Sequence, residues 1–208
     1  MNLIDNFINE CDIALKTLSY KKNGTGRSYP GKRGTENLSK KEKDLSAQLM
    51  RVNLAGEVSA QALYRGQAMV CKDAEIKEHL IQAGEEETDH LIWCRKRLED
   101  LNGNPSILNP LWYAGSFAIG AISGSLGEKT SLGFVEETEK QVVKHLEKHL
   151  GQISKNDIET IKILETMRAD EDEHAKEASN EGAEELPTYS KKIMGLTAKL
   201  MTSSSRYI

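Results

Sequence analysis

The sequence predicts an all-α protein built around a four-helix bundle, and three observations lead there. Aromatic residues make up 5% of the 208-residue chain and charged residues 29%. Glu, Lys, Leu and Ala are plentiful and strand-type runs scarce, which is a helix-forming composition. Four segments carry apolar residues at three-and-four spacing. Each of these apolar rows is interrupted near its middle by a glutamate.

The elements follow in order. Residues 1–18 read as a short amphipathic helix, with Leu3, Ile4, Phe7, Ile8, Ile13, Leu15 and Leu18 as its apolar residues. The stretch "SYKKNGTGRSYPGKRGTENLSKKEKD" (19–44) is rich in Gly and Lys and reads as loop. Its basic run is either a solvated face or a contact with an acidic membrane surface. Residues 1–44 therefore stand apart from a helical domain over 45–208.

The first bundle helix runs from about Ser39 to Val70, with Met50, Leu54, Glu57, Gln61, Tyr64 and Ala68 on one row. The second starts near Asp73 and stops before "NGNP", with Ile76, Leu80, Ala83, Glu87, His90, Cys94 and Leu98. The third, from about Glu128 to Leu150, carries Val135, Glu139, Val142, Leu146 and Leu150. The fourth begins near Asn156 and carries Ile161, Leu164, Met167, Glu171, His174 and Ala178. "EELP" closes it.

An ionised carboxylate on a core-facing row costs several kcal/mol unless it is paired or binds a metal. Four such residues in four helices need one shared explanation, and the spacing supplies it. "EEETDH" (85–90) and "ADEDEH" (169–174) each end in a His with a Glu three positions earlier, Glu87 with His90 and Glu171 with His174. Glu57 lies 30 residues before Glu87, and Glu139 lies 32 before Glu171. The chain thus repeats one half-unit, a Glu followed by Glu-x-x-His. Residues three apart project from the same side of a helix, so two facing helix pairs surround one cavity with four carboxylates and two imidazoles. That donor set suits iron or manganese, and four negative charges balance two divalent cations. Di-metal carboxylate bundles use this ligand pattern. A single Glu-x-x-His in a Glu-rich helix is usually a solvated face; the matched repeat is what favours a metal. His145 and His149 have no carboxylate at the same offset and read as half-exposed or supporting residues.

Between His90 and Glu139 lie 48 residues, so a ferritin-like bundle needs one long crossover there. Leu101 to Gly127 contains no charged residue. Its apolar part, 111–126, is short of the roughly 20 residues of a membrane-spanning helix. It reads either as a buried crossover helix or as a membrane-facing one that admits a hydrophobic substrate, with Trp112 and Phe117 as the aromatic residues expected to hold it on the lipid. The tail "YSKKIMGLTAKLMTSSSRYI" is amphipathic, with Ile193, Leu196, Leu200 and Met201 on one side, and either caps the bundle or lies on a membrane.

The formal net charge of −4 gives no support for nucleic-acid binding. Cys11, Cys71 and Cys94 form neither a disulfide framework nor a zinc pattern, which suits a reducing compartment. Asp5, Glu10 and Asp12 argue against a secretory signal.

The stretches "RVNLAGEVSAQALYRGQ" (51–67), "EEETDHLIWCRKRL" (85–98), "NPLWYAGSFAIGAISGSLG" (109–127), "TEKQVVKHLEKHL" (138–150) and "MRADEDEHAKEA" (167–178) together resemble the 3-demethoxyubiquinol 3-hydroxylases of ubiquinone biosynthesis. The likeness covers residues 45–208. It implies a di-iron monooxygenase, peripheral on a membrane (in a bacterium, on the cytoplasmic face of the cell membrane), that uses O₂ to hydroxylate a polyprenylated demethoxybenzoquinol. Carried across by motif, the resemblance makes Glu57 a ligand of one iron and Glu139 of the other, Glu87 and Glu171 the bridging carboxylates, and His90 and His174 one nitrogen ligand to each metal. Among the three glutamates of "VEETEK", Glu139 alone both lies on the stripe and keeps the spacing to Glu171. An electron donor is required, its identity unspecified, and a homo-oligomer or biosynthetic complex is compatible. The rival assignments are a ferritin-like iron-binding or storage protein and a di-manganese catalase.

Overall fold

The computed structural model describes residues 3–21, 23–32 and 37–208, apart from the side chains of Leu3, Ile4, Asn6 and Phe7. The expected places of those side chains, and of residues 1, 2, 22 and 33–36, lie outside the described residues. Every regular element among the described residues is a helix, in the order α1 (Leu3–Leu18), α2 (Lys40–Val70), α3 (Ala74–Asp100), α4 (Asn109–Ser125), α5 (Glu128–Leu150), α6 (Ile158–Asn180) and α7 (Thr188–Ser205). Helices α2, α3, α5 and α6 make the bundle, α4 is the crossover and α7 the tail. This is the all-α, ferritin-like arrangement the sequence predicts.

Local chemistry sets the helix starts. Ser39 and Glu42 form a reciprocal capping box at the head of α2. The Asp73 carboxylate accepts from the amides of Glu75 and Ile76 at the head of α3. Asp157 caps α6 by accepting from Thr160 N at 2.9 Å. Pro110 sits in the first turn of α4, where its missing N–H costs nothing. The backbone turns into α5 through Gly127 at φ 113°, a conformation that favours glycine.

Helices α2 and α3 pack as one hairpin and α5 and α6 as another, and α4 lies along α2. That last contact is backbone on backbone. A Cβ on Gly66 would fall 2.2 Å from Phe117 O, and one on Gly120 would fall 2.1 Å from Leu63 O. Buried Leu54, Val58, Leu91, Leu98, Leu146 and Leu164 form part of the main core between the hairpins.

A polar tie at one end of the bundle is invisible to stripe counting. Buried Arg97 of α3 bonds Asp157 Oδ1 at 2.7 Å, Glu159 Oε2 at 2.8 Å and Thr160 Oγ1 at 2.8 Å. Ser46 of α2 donates to the other oxygen of Asp157. One aspartate thus joins α2, α3 and the start of α6.

The outer helices show a different surface. On α4 Leu111 (59%) and Ile122 (64%) stand exposed, as do Leu126 (64%) at its C-terminal cap and Ile193, Leu196 and Leu200 on α7. Trp112 and Phe117 do not share that face. Trp112 Nε1 donates to Ser205 Oγ of α7 at 2.9 Å, and Phe117 packs against the core. Among the described residues no helix is long and apolar enough to cross a membrane. The helix α1 is tied down through Glu10 to Arg65 and Thr17 to Gln61. Cys94 is buried in the core, whereas Cys11 is exposed.

Candidate metal centre

The apolar rows read from the sequence face inward, and their glutamates go with them. Glu57 on α2, Glu87 and His90 on α3, Glu139 on α5, and Glu171 and His174 on α6 are each at most 6% exposed. Ligand atoms of Glu57, Glu87, His90 and Glu171 lie within 4.8 Å of one another. Glu139 adjoins Glu171 and accepts from the hydroxyl of Tyr64. Glu136 and Glu137 turn outward to Lys140 and Gln141.

The arrangement has an approximate two-fold pattern. His90 Nδ1 lies 3.0 Å from Glu87 Oε2 and 3.1 Å from Glu171 Oε1. His174 Nδ1 lies 3.3 Å from Glu87 Oε1 and 3.4 Å from Glu171 Oε2. Each of these two carboxylates therefore turns one oxygen toward each imidazole. Glu57 Oε2 stands 3.6 Å from His90 Nδ1 and belongs to that end.

The outward nitrogens are held by residues that stripe reading passed over. His90 Nε2 meets Asp170 Oδ2 at 2.8 Å, and His174 Nε2 meets Glu86 Oε2 at 2.9 Å. Asp170 directly precedes Glu171, and Glu86 directly precedes Glu87. Each hairpin thus supplies the acid that orients the other hairpin's histidine. A carboxylate on the far nitrogen of a ligating imidazole fixes its tautomer and direction. The doubled acidic residue in "EEETDH" and "ADEDEH" is the signal that could have found them.

The electrostatics follow from packing carboxylates together out of water. Burial, reinforced by the neighbouring carboxylates, pushes Glu57 and Glu139 well above the usual carboxylate range. Burial also acts on Glu87, but the His90 and His174 imidazoles outweigh it and hold that group low. Burial disfavours charge on the imidazoles, yet the carboxylates facing them raise His90 strongly and lift His174 to about 12. Burial and the Glu139 charge keep the Tyr64 phenol protonated.

The donor set fits a metal pair on an observation of its own. Glu87 Oε1, Glu171 Oε2 and His174 Nδ1 are buried with no hydrogen-bond partner, and all three belong to the His174 half. Orphaned buried polar atoms are costly, and three converging on one place is the signature of a coordination point. Hard carboxylate oxygens with imidazole nitrogens match iron or manganese.

Comparison with known proteins decides the family. The family model for "Ubiquinone biosynthesis protein COQ7" matches residues 44–205. The chain belongs to this family. A 3-demethoxyubiquinol 3-hydroxylase of Legionella pneumophila (strain Lens) is 48% identical over 209 aligned residues, covering 100% of this chain and 98% of the relative. A protein of the same name from Nitrosococcus oceani is 46% identical over 100% of the chain and 98% of the relative. Another from Delftia acidovorans is 44% identical over 99% of the chain and 100% of the relative.

Two further features bear on the COQ7-family site. A polar cleft of about 270 Å³ opens at the His174 end, lined in part by His79, Glu86, His174, Glu177 and Glu181. His145 and His149 stand outside the cluster: His149 is buried with Nδ1 2.8 Å from Asn53 Oδ1, and His145 is half-buried against it. Burial holds them near 4 (His145) and 3 (His149).

Proposed function

We propose that this protein is a di-iron monooxygenase that hydroxylates the ring of a polyprenylated demethoxybenzoquinol, 3-demethoxyubiquinol, with O₂. The observation that carries the metal assignment is the pair of Glu-x-x-His segments, whose two glutamates each turn one oxygen to each histidine. The membership in the family and the names of the full-length relatives support the reaction and the substrate class.

Glu57, Glu87 and His90 with Glu171 would hold one iron, and Glu139, Glu171 and His174 with Glu87 the other, Glu87 and Glu171 bridging. When bound, the iron pair would supply the redox chemistry for a monooxygenation in which one atom of O₂ enters the ring and the other leaves as water, an external donor providing the two electrons. The chain's own residues set the conditions. The six ligands are at most 6% exposed, so bulk water is kept away. Asp170 and Glu86 accept from His90 and His174 and keep their inner nitrogens aimed at the metals. Tyr64 donates to Glu139 and limits how far that carboxylate swings.

The exposed aliphatic residues of α4 and α7 support a peripheral seat on the membrane, at the cytoplasmic face in a bacterial cell, from which a lipid-like substrate enters. Residues 45–208 would form the hydroxylase domain and 1–44 its N-terminal helix and loop. The decisive experiment is mass spectrometry of quinones in cells lacking this protein. Demethoxyubiquinone should accumulate and disappear on complementation; unchanged ubiquinone with no such intermediate sinks the assignment.

A further inference from the structure

The two ends of the metal cluster are not enclosed in the same way. At the His174 end, Glu86 is one-third exposed, bonds Gln82 and His174, and lines the polar cleft. At the His90 end a segment from outside the bundle closes over the site. Residues 23–32 have no regular secondary structure, yet three alternating residues each grip a carboxylate. Thr25 N donates to Asp89 Oδ1 at 3.1 Å, with its hydroxyl on the other oxygen. Arg27 takes both oxygens of Asp170, at 3.0 Å and 2.7 Å, and lies 5.1 Å over the Trp93 ring. Tyr29 Oη donates to Glu159 Oε1 at 2.6 Å. Gly24 sits so close that a Cβ there would fall 2.0 Å from Asp89 Oδ1. Contacts to three carboxylates on α3 and α6 make this a docked strap and not the solvated basic loop its composition suggests.

The middle contact runs in line with the cluster: Arg27 to Asp170, Asp170 to His90 Nε2, and His90 Nδ1 toward Glu87 and Glu171. We propose that Arg27 is a positioning residue of the metal centre, clamping Asp170 so that the His90 ring is fixed and the ion at that end is retained more tightly than the ion at the His174 end. This rests on the two-metal assignment above. Arginine suits the task because its planar fork binds both carboxylate oxygens and its flat face stacks on an indole. Lysine offers a single point of charge and neither constraint. Without the clamp, Asp170, itself 21% exposed on its side chain, is free to rotate toward water and release the imidazole. Loss of such an outer partner typically weakens metal binding about 10–100-fold.

The test uses the full chain freed of metal, reloaded with Co(II), and challenged with excess EDTA while the cobalt visible bands are followed. Wild type should bind two equivalents and release them in two phases of equal amplitude. Arg27→Ala should accelerate the slow phase at least about tenfold and leave the fast phase alone. Arg27→Lys should recover only part of the difference. Glu86→Gln should accelerate the fast phase only. Tyr29→Phe separates positioning from simple strap adhesion, since it loosens the strap and spares Asp170. If Tyr29→Phe moves the slow phase as much as Arg27→Ala, or if Arg27→Ala moves neither phase with its circular dichroism unchanged, the positioning role is overturned. Wild type taking up fewer than two equivalents fails differently: it removes the two-metal assignment and this inference with it.

Discussion

The four bundle helices and the two outer helices place charge in opposite ways. Helices α2, α3, α5 and α6 bury four glutamates and two histidines at their centre and present polar residues to solvent. Helices α4 and α7 keep Asn109 and Ser205 inward and leave Leu111, Ile122, Leu126, Ile193 and Leu196 outside. Each pattern costs free energy in water, one through desolvated charge and the other through exposed hydrocarbon. Both costs disappear together if the interior holds cations and the outer face meets lipid. The contrast teaches that the binding partners of a protein can be read from what its fold leaves unfavourable.

The largest effect should come from removing charge inside. Glu171→Ala takes away a carboxylate that faces both histidines, so quinol hydroxylation should be abolished and iron should fall from about two per chain to about one or fewer. The helical fold should survive, because Glu171 is crowded by the like-charged Glu57 and Glu139 and its removal relieves that repulsion. Glu136→Ala is the control: that residue is half-buried and pairs with Lys140, and its activity, iron content and far-ultraviolet circular dichroism should match wild type. Full activity in Glu171→Ala breaks the contrast at its centre.

Next in size is the bundle's other buried charge. Arg97→Ala leaves Asp157 and Glu159 without their shared cation and should destabilise the protein by about 3–5 kcal/mol, measured by urea unfolding of metal-free protein. A loss under about 1 kcal/mol would show that the polar tie adds little.

The outer surface is tested by putting charge where hydrocarbon stands. Leu111→Asp with Ile122→Asp and Leu126→Asp should reduce binding to anionic phospholipid vesicles on the order of a hundredfold, about 3 kcal/mol. Trp112→Asp tests something else, since that ring is bonded to Ser205, and should lower stability before it lowers lipid affinity. Undiminished vesicle binding by the triple variant removes α4 from the membrane face.

The smallest effect separates metal-type histidines from structural ones. Burial holds His149 near 3, below its ordinary unfolded value of about 6.5. A lowered value means the unfolded chain binds the proton first, so the stabilisation is complete above about pH 6.5 and drains away as pH falls toward 3. Between pH 7 and pH 5 wild type should lose about 1–2 kcal/mol more than His149→Gln, followed by urea unfolding at both pH values. Equal losses would show that His149 titrates normally in the folded state.

The inner half of this contrast was legible in the sequence and the outer half less so. Glu57, Glu87, Glu139 and Glu171 betray themselves because a carboxylate on an apolar row has few explanations. Glu86 and Asp170 lie one position off those rows, and their roles exist only once two hairpins are brought face to face. Tyr64 lies on the same row as Glu57, but row position alone does not show that its hydroxyl serves Glu139. The inward turn of Trp112 and Phe117 had no periodic signal, because α4 is apolar all round and offers no polar face to orient it. The strap over 23–32 has no periodicity, so only the structure places Arg27 on Asp170.

The crossed pairing of Glu86 with His174 and Asp170 with His90 has a consequence for how the protein matures. Neither hairpin carries a finished histidine of its own; each borrows the orienting acid from the other. A nascent chain with only α2 and α3 folded would therefore hold metal weakly and let it go. With iron as the proposed metal, tight capture would become a certificate of complete tertiary assembly, issued only after the second hairpin has docked, and a redox-active ion would not be committed to a half-built enzyme.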